Sequence, residues 1–138
     1  MVFDKPNTFV VMIKMMLLAG CGGFVGTALR FLTGKICAQF HVGGFPLGTF
    51  TVNVIGSLLI GILFGLAEQK GVLSPSASAV LITGFCGGFT TFSTFSVQAV
   101  QLFQAGERLT AAAYIAASLV VSVLMVLLGI YLAGKFIK

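Results

Sequence analysis

Four stretches of this chain are each apolar enough and long enough to cross a lipid bilayer, and little sequence lies between them. A helix needs about 20 predominantly apolar residues to traverse a hydrocarbon core of about 30 Å. The segments run over about 8–32, 47–67, 76–103 and 109–134. The first carries Lys14 near its start and is closed by Arg30, and the second is bounded by Pro46 and by Glu68 with Lys70. The third follows Pro75, a residue suited to a first helical turn, and the fourth sits between Glu107–Arg108 and Lys135. Short connections force neighbouring helices to be antiparallel. The expected fold is an all-α integral membrane protein, one four-span, multi-pass domain over residues 1–138.

Composition excludes the main alternatives. Of the 138 residues 58% are hydrophobic and only 8% charged, too few charges to cover the surface of a soluble domain. The net charge of +5 does not indicate nucleic acid, because the cations stand singly at the edges of apolar runs, where lysines snorkel to headgroups. Cys21, Cys37 and Cys86 lack a paired spacing and His41 is the sole histidine, so no side-chain metal cluster or disulfide framework is expected. No grouping of nucleophile and base appears, and the chain reads as a non-enzyme. Leu18-Ala19-Gly20-Cys21 resembles a lipoprotein processing box. However, only six apolar or small residues separate Lys14 from Cys21 and the apolar run continues past it, so cleavage is not expected.

With four spans both termini share one side. That side holds Lys5, Lys14, Lys70, Lys135 and Lys138, the other Arg30, Lys35 and Arg108, a weak orienting bias. Weak bias permits insertion either way up, and four helices of this size enclose little room for a private aqueous pore. Both point to an antiparallel, dual-topology homodimer. Gly22/Gly26, Gly61/Gly65 and Gly84/Gly88 match the small-xxx-small pattern of close helix contact, and packing alone is the expected role of most of them.

Polar side chains at membrane depth cost free energy unless satisfied. Asn53 lies inside the second segment, and Tyr114, Ser118 and Ser122 form an i, i+4, i+8 stripe on the fourth. The third carries Thr83, Thr90, Thr91, Ser93, Thr94, Ser96 and Gln98. A lone serine or threonine usually bonds its own i−4 carbonyl, but this concentration predicts a polar pathway. No Asp or Glu lies within a span, whereas hydroxyl and amide donors abound and phenylalanine edges carry partial positive charge. Phe92 and Phe95 share a helix face among those hydroxyls, so the cargo is expected to be an anion. Gly87-Gly88 falls about 17 Å from the start of its helix, near mid-bilayer, and is expected to break the third helix there.

The runs Gly22-Gly23-x2-Gly26-x3-Arg30, Gly48-Thr49-x3-Asn53-x2-Gly56 and, above all, 84–96 (GFCGGFTTFSTFS) resemble the small fluoride channels called CrcB or Fluc. The resemblance implies a passive, fluoride-selective channel in the inner (plasma) membrane that exports cytoplasmic fluoride through two pores at the dimer interface. It implies a central structural sodium on the backbone carbonyls of Gly87 and Thr90. Phe92 and Phe95 would be the pore rings and Asn53 a pore donor. Thr91, Ser93 and Thr94 would line the path, Tyr114, Ser118 and Ser122 would form a polar track, and Arg30 would sit near an entrance. Gln98 departs from the glutamate common there, which puts any ionisable role in doubt. The alternative is a small multidrug-resistance-type dual-topology transporter, but its mechanism needs a carboxylate in the first span, and residues 15–32 contain none.

Overall fold

The computed structural model describes residues 6–69 and 71–137. Lys5, Lys70 and Lys138, used above in weighing charge and orientation, lie outside the described residues. Helix α1 spans Pro6–Cys37 and α2 spans Leu47–Ala67. A third helical run, α3 (75–89), comprises Pro75–Ser78, a wider π-wound segment Ala79–Cys86, and a last turn Gly87–Phe89. Helix α4 (Phe92–Gln104) continues beyond two extended residues, and α5 spans Arg108–Phe136. The four stretches Asn7–Cys37, Leu47–Ala67, Pro75–Gln104 and Arg108–Phe136 are long and apolar enough to cross a membrane. The first helix runs past Arg30 and Lys35 because nothing before Cys37 breaks its backbone, so both cations lie on the helix itself.

Local chemistry sets the helix ends. Ser74 accepts a hydrogen bond from the Ala77 amide at 3.1 Å and Pro75 takes the first helical position. Between α4 and α5 the chain reverses over three residues, with Gly106 at φ +81°, a conformation glycine adopts without steric penalty.

In lipid the tails are as apolar as leucine, so helices associate through close van der Waals packing. Two glycine seams provide it. Along α1 and α3, a Cβ on Gly22 would stand 2.9 Å from the Phe85 nitrogen, and one on Gly26 2.8 Å from the Phe89 nitrogen. Gly84 and Gly88 answer from α3, where a Cβ would meet Gly22 and Gly23 backbone at 3.0 Å. Along α2 and α5, Gly61 lies against Val126 and Gly65 against Ile130 and Ala133. In both pairs residue number rises together, so α1 runs parallel to α3, and α2 to α5. A smaller core of Phe95, Ala99, Leu102, Ala111 and Tyr114 joins α4 to α5.

Large apolar side chains cover the outside. Phe24 is 77% exposed, Leu109 85% and Phe136 81%, a surface suited to hydrocarbon rather than to water. Lys35 lies 5.3 Å from the Phe31 ring centroid and Lys135 4.9 Å from that of Tyr131, aromatic–cation pairs of the kind found at membrane–water interfaces.

The seam predicts a sharp contrast. Gly22→Leu must force backbone apart, and overpacking of this kind costs about 1–3 kcal/mol or more. Its thermal unfolding midpoint in detergent should fall by several degrees, about 3–4 °C per kcal/mol for a chain of this size. A Cβ on Gly20 meets nothing within 4 Å, so Gly20→Leu should melt with the unmodified protein.

Candidate functional site

The site begins where helical hydrogen bonding stops. Gly87 is helical (φ −63°, ψ −38°), so the expected unwinding does not fall on the glycine pair. Thr90 (φ −87°, ψ 161°) and Thr91 (φ −152°, ψ 125°) are the extended residues. The reason is packing: Gly88 sits against Gly23 and Thr27, a close approach that a regular helical turn supplies.

Asn53 holds the extended backbone. Its Oδ1 accepts the Thr91 N–H at 2.8 Å, and its Nδ2 donates to the Thr91 carbonyl at 3.0 Å. The second Nδ2–H is left as a donor. Thr90 is fixed from behind, where its amide and hydroxyl both donate to the Cys86 carbonyl, at 3.0 and 2.8 Å. Its methyl group occupies space left by Gly56 of α2. Thr91 then caps α4, its hydroxyl accepting the Thr94 N–H at 3.3 Å and donating to the Thr94 hydroxyl at 3.1 Å. On the other side Arg30 Nε donates to the Gly88 carbonyl at 3.0 Å, joined by the Thr27 hydroxyl at 3.4 Å.

This pattern frees two particular oxygens. A continuing helix would direct the Thr91 N–H at the Gly87 carbonyl and the Thr94 N–H at the Thr90 carbonyl. Asn53 and the Thr91 hydroxyl take those donors instead. Among the described residues no group of three or more His, Cys, Asp or Glu is placed to hold a metal ion, whereas the Gly87 and Thr90 carbonyls lose the Thr91 and Thr94 amides as helical donors.

Beside the extended pair lies a groove of about 340 Å³. Asn53 and Ser57 of α2, Thr90 and Thr91, and Ser118 and Ser122 of α5 are its polar lining. Phe92 and Phe95 form one wall with ring centroids 5.7 Å apart, and Ile60, Leu119 and Val123 are further apolar lining. Phe92 is 75% exposed, so the groove lies open along this side. Ser118 is only 6% exposed, yet its hydroxyl has no hydrogen-bond partner. Buried polar groups are nearly always satisfied, and an unsatisfied one calls for an explanation.

A second cavity of about 320 Å³ shares Thr91 with the groove. Arg30 and Lys35 stand at it beside Thr49, Thr94 and Gln98. Tyr114, fully buried, donates its hydroxyl to Gln98 Oε1 at 2.9 Å and packs against Phe95 and Phe45 at 5.1 and 5.3 Å. The predicted α5 stripe is thus divided: Ser118 and Ser122 face the groove, while Tyr114 orients Gln98 at the neighbouring cavity. Ser93 is exposed and lines neither space. Ser57, Thr49 and Lys35 were not among the site residues expected from the sequence. Ser57 could have been found from its spacing, four residues after Asn53 and so on the same helix face.

Replacing Asn53 by Ala should leave both Thr91 backbone groups unpaired, at about 1–3 kcal/mol for each. A lower unfolding midpoint and faster hydrogen exchange at the Thr91 amide are the expected results.

Comparison with known proteins adds an independent line. The family described as "CrcB-like protein, Camphor Resistance (CrcB)" matches residues 17–130. A fluoride-specific ion channel FluC of Azobacteroides pseudotrichonymphae is 42% identical over 125 residues, covering 91% of this chain and all of that protein. One of Chlorobaculum tepidum is 47% identical over 109 residues, covering 79% and 86% of the two chains. One of Methylobacillus flagellatus is 44% identical over 119 residues, covering 86% and 92%.

Proposed function

Because the chain belongs to the CrcB-like family, we propose that it is a fluoride channel: a multi-pass membrane protein passing the ion down its gradient along the groove beside Thr91. The observation that carries this reading is the Ser118 hydroxyl, buried and unpartnered at a donor-lined groove. Its neighbours suit an anion. Fluoride is small and strongly hydrated, so a path must replace water by closely spaced donors. Serine hydroxyls, the second Asn53 N–H and the positive edges of Phe92 and Phe95 do so. None carries a fixed positive charge that would trap the ion. Arg30 and Lys35, at the adjoining cavity, raise the local anion concentration at an entrance. Hydrofluoric acid that enters a cell dissociates at cytoplasmic pH, and the passive path returns fluoride outward across the inner membrane.

A groove open on one side at membrane depth leaves polar groups facing hydrocarbon, which favours a cover of protein. A second copy of this chain, inserted the other way up, supplies that cover and yields two paths per dimer. The Gly87 and Thr90 carbonyls fit a structural sodium in chemistry, since both are hard oxygen ligands released from helical hydrogen bonding. One chain supplies a pair of them and its antiparallel copy a second pair. When bound, the ion adds a positive potential beside the paths and satisfies those carbonyls. A multidrug-type transporter, the alternative, gains no support: the first helix has no carboxylate between 15 and 32.

Purified protein in liposomes should release fluoride and retain chloride, read with ion-selective electrodes. Absence of fluoride release from folded dimers would remove the channel reading. Phe92→Ile should suppress the flux while the dimer stays intact on gel filtration, and unchanged flux would move this ring out of the path.

A further inference from the structure

Helix α1 carries a lysine at each end of its apolar stretch, and their separation matches a bilayer. Lys14 and Lys35 are about 31 Å apart along the helix at 1.5 Å per residue, against a hydrocarbon core of about 30 Å. Helix contacts put Lys14 at the same boundary. Gly22 lies against Phe85 and Gly26 against Phe89, a register that carries Lys14 to the first turn of α3. Gly48 of α2 meets Gly34, and the antiparallel register from that contact carries Lys14 to Glu68, just past the end of α2. Lys14 thus stands where the bundle and the hydrocarbon end, with its ammonium in reach of the phosphate layer.

Below it the outer side of α1 is notched. A Cβ on Gly20 would meet nothing within 4 Å, and Met16, Leu17, Cys21, Phe24 and Val25 stand exposed around it. Together these residues line a groove of about 540 Å³. Gly22 and Gly26 turn the opposite side of the helix to α3. Lys14, Leu17, Cys21 and Val25 follow at i, i+3, i+7 and i+11, so the cation heads the grooved face. Phe24 is about 15 Å below Lys14, half the hydrocarbon core, so the groove runs the depth of one leaflet. No acidic residue occurs between 14 and 25.

We propose that this groove seats one anionic diacyl phospholipid, with Lys14 on its phosphate and an acyl chain laid over Gly20 between Leu17 and Phe24. A cation at headgroup level above an apolar notch one leaflet deep matches both ends of such a lipid. A second copy of the chain suits the face less well, since it would set Lys14 against a molecule of net charge +5. The lipid seat is independent of the fluoride path.

The test is native mass spectrometry of the purified full-length protein, offered equal amounts of phosphatidylglycerol and phosphatidylcholine with the same acyl chains. Phosphatidylglycerol should be retained roughly fivefold over phosphatidylcholine, the worth of one lysine at an anionic membrane surface. Lys14→Gln should abolish that preference and leave phosphatidylcholine retained as before. Gly20→Leu fills the notch and should lower retention of both lipids, while its melting is unchanged. Equal retention of the two lipids by the unmodified protein, or full phosphatidylglycerol retention by Gly20→Leu, would overturn the seat. Loss of self-association in Gly20→Leu would assign the face to a second copy and overturn it too. Excess inorganic phosphate should not displace the lipid; displacement would reduce Lys14 to a simple anion contact and refute the proposal.

Discussion

Away from water an interrupted helix exposes N–H and C=O groups that hydrocarbon cannot satisfy, and the Asn53–Thr91 pairing is this chain's answer. One amide side chain presents a donor and an acceptor together, as a neighbouring β-strand would, and so stabilises a single extended residue. The remaining features depend on that pairing. With Thr91 extended, its hydroxyl can cap α4, and the Gly87 and Thr90 carbonyls lose their helical donors. Phe92 and Phe95 then begin a helix whose face turns toward the serines of α5.

The glycine seams explain why that arrangement can be held firmly without a large apolar core. Gly22, Gly26, Gly84 and Gly88 bring α1 and α3 to backbone contact, and Arg30 reaches from the same α1 to the Gly88 carbonyl. Gly61, Gly65 and Gly129 do the same for α2 and α5. Each pair behaves as a plate, and the extended threonines lie where the plates adjoin.

The helices were legible because apolar runs of this length admit few other structures, and the donor-rich character of 90–96 was visible as an excess of hydroxyls. The place of the interruption was not. Glycine disfavours helix in isolation, which pointed to Gly87-Gly88, but in this chain Gly88 serves close approach and stays helical, while a partner 38 residues away claims Thr91. Such a long-range pairing leaves no local mark. Tyr114 shared a spacing with Ser118 and Ser122, yet its bulk places it in the α4–α5 core with its hydroxyl on Gln98. Ser57 was overlooked although its spacing puts it on the same helix face as Asn53, because the opposite wall of the groove comes from the distant α5.

The two-plate construction has a consequence for control. On the channel reading proposed above, a slot at the joint between two plates would need no hinge, and no segment would have to swing for an ion to cross. Flow would then be set by the gradient and by how many copies stand in the membrane, and regulation would pass from the protein's shape to its supply.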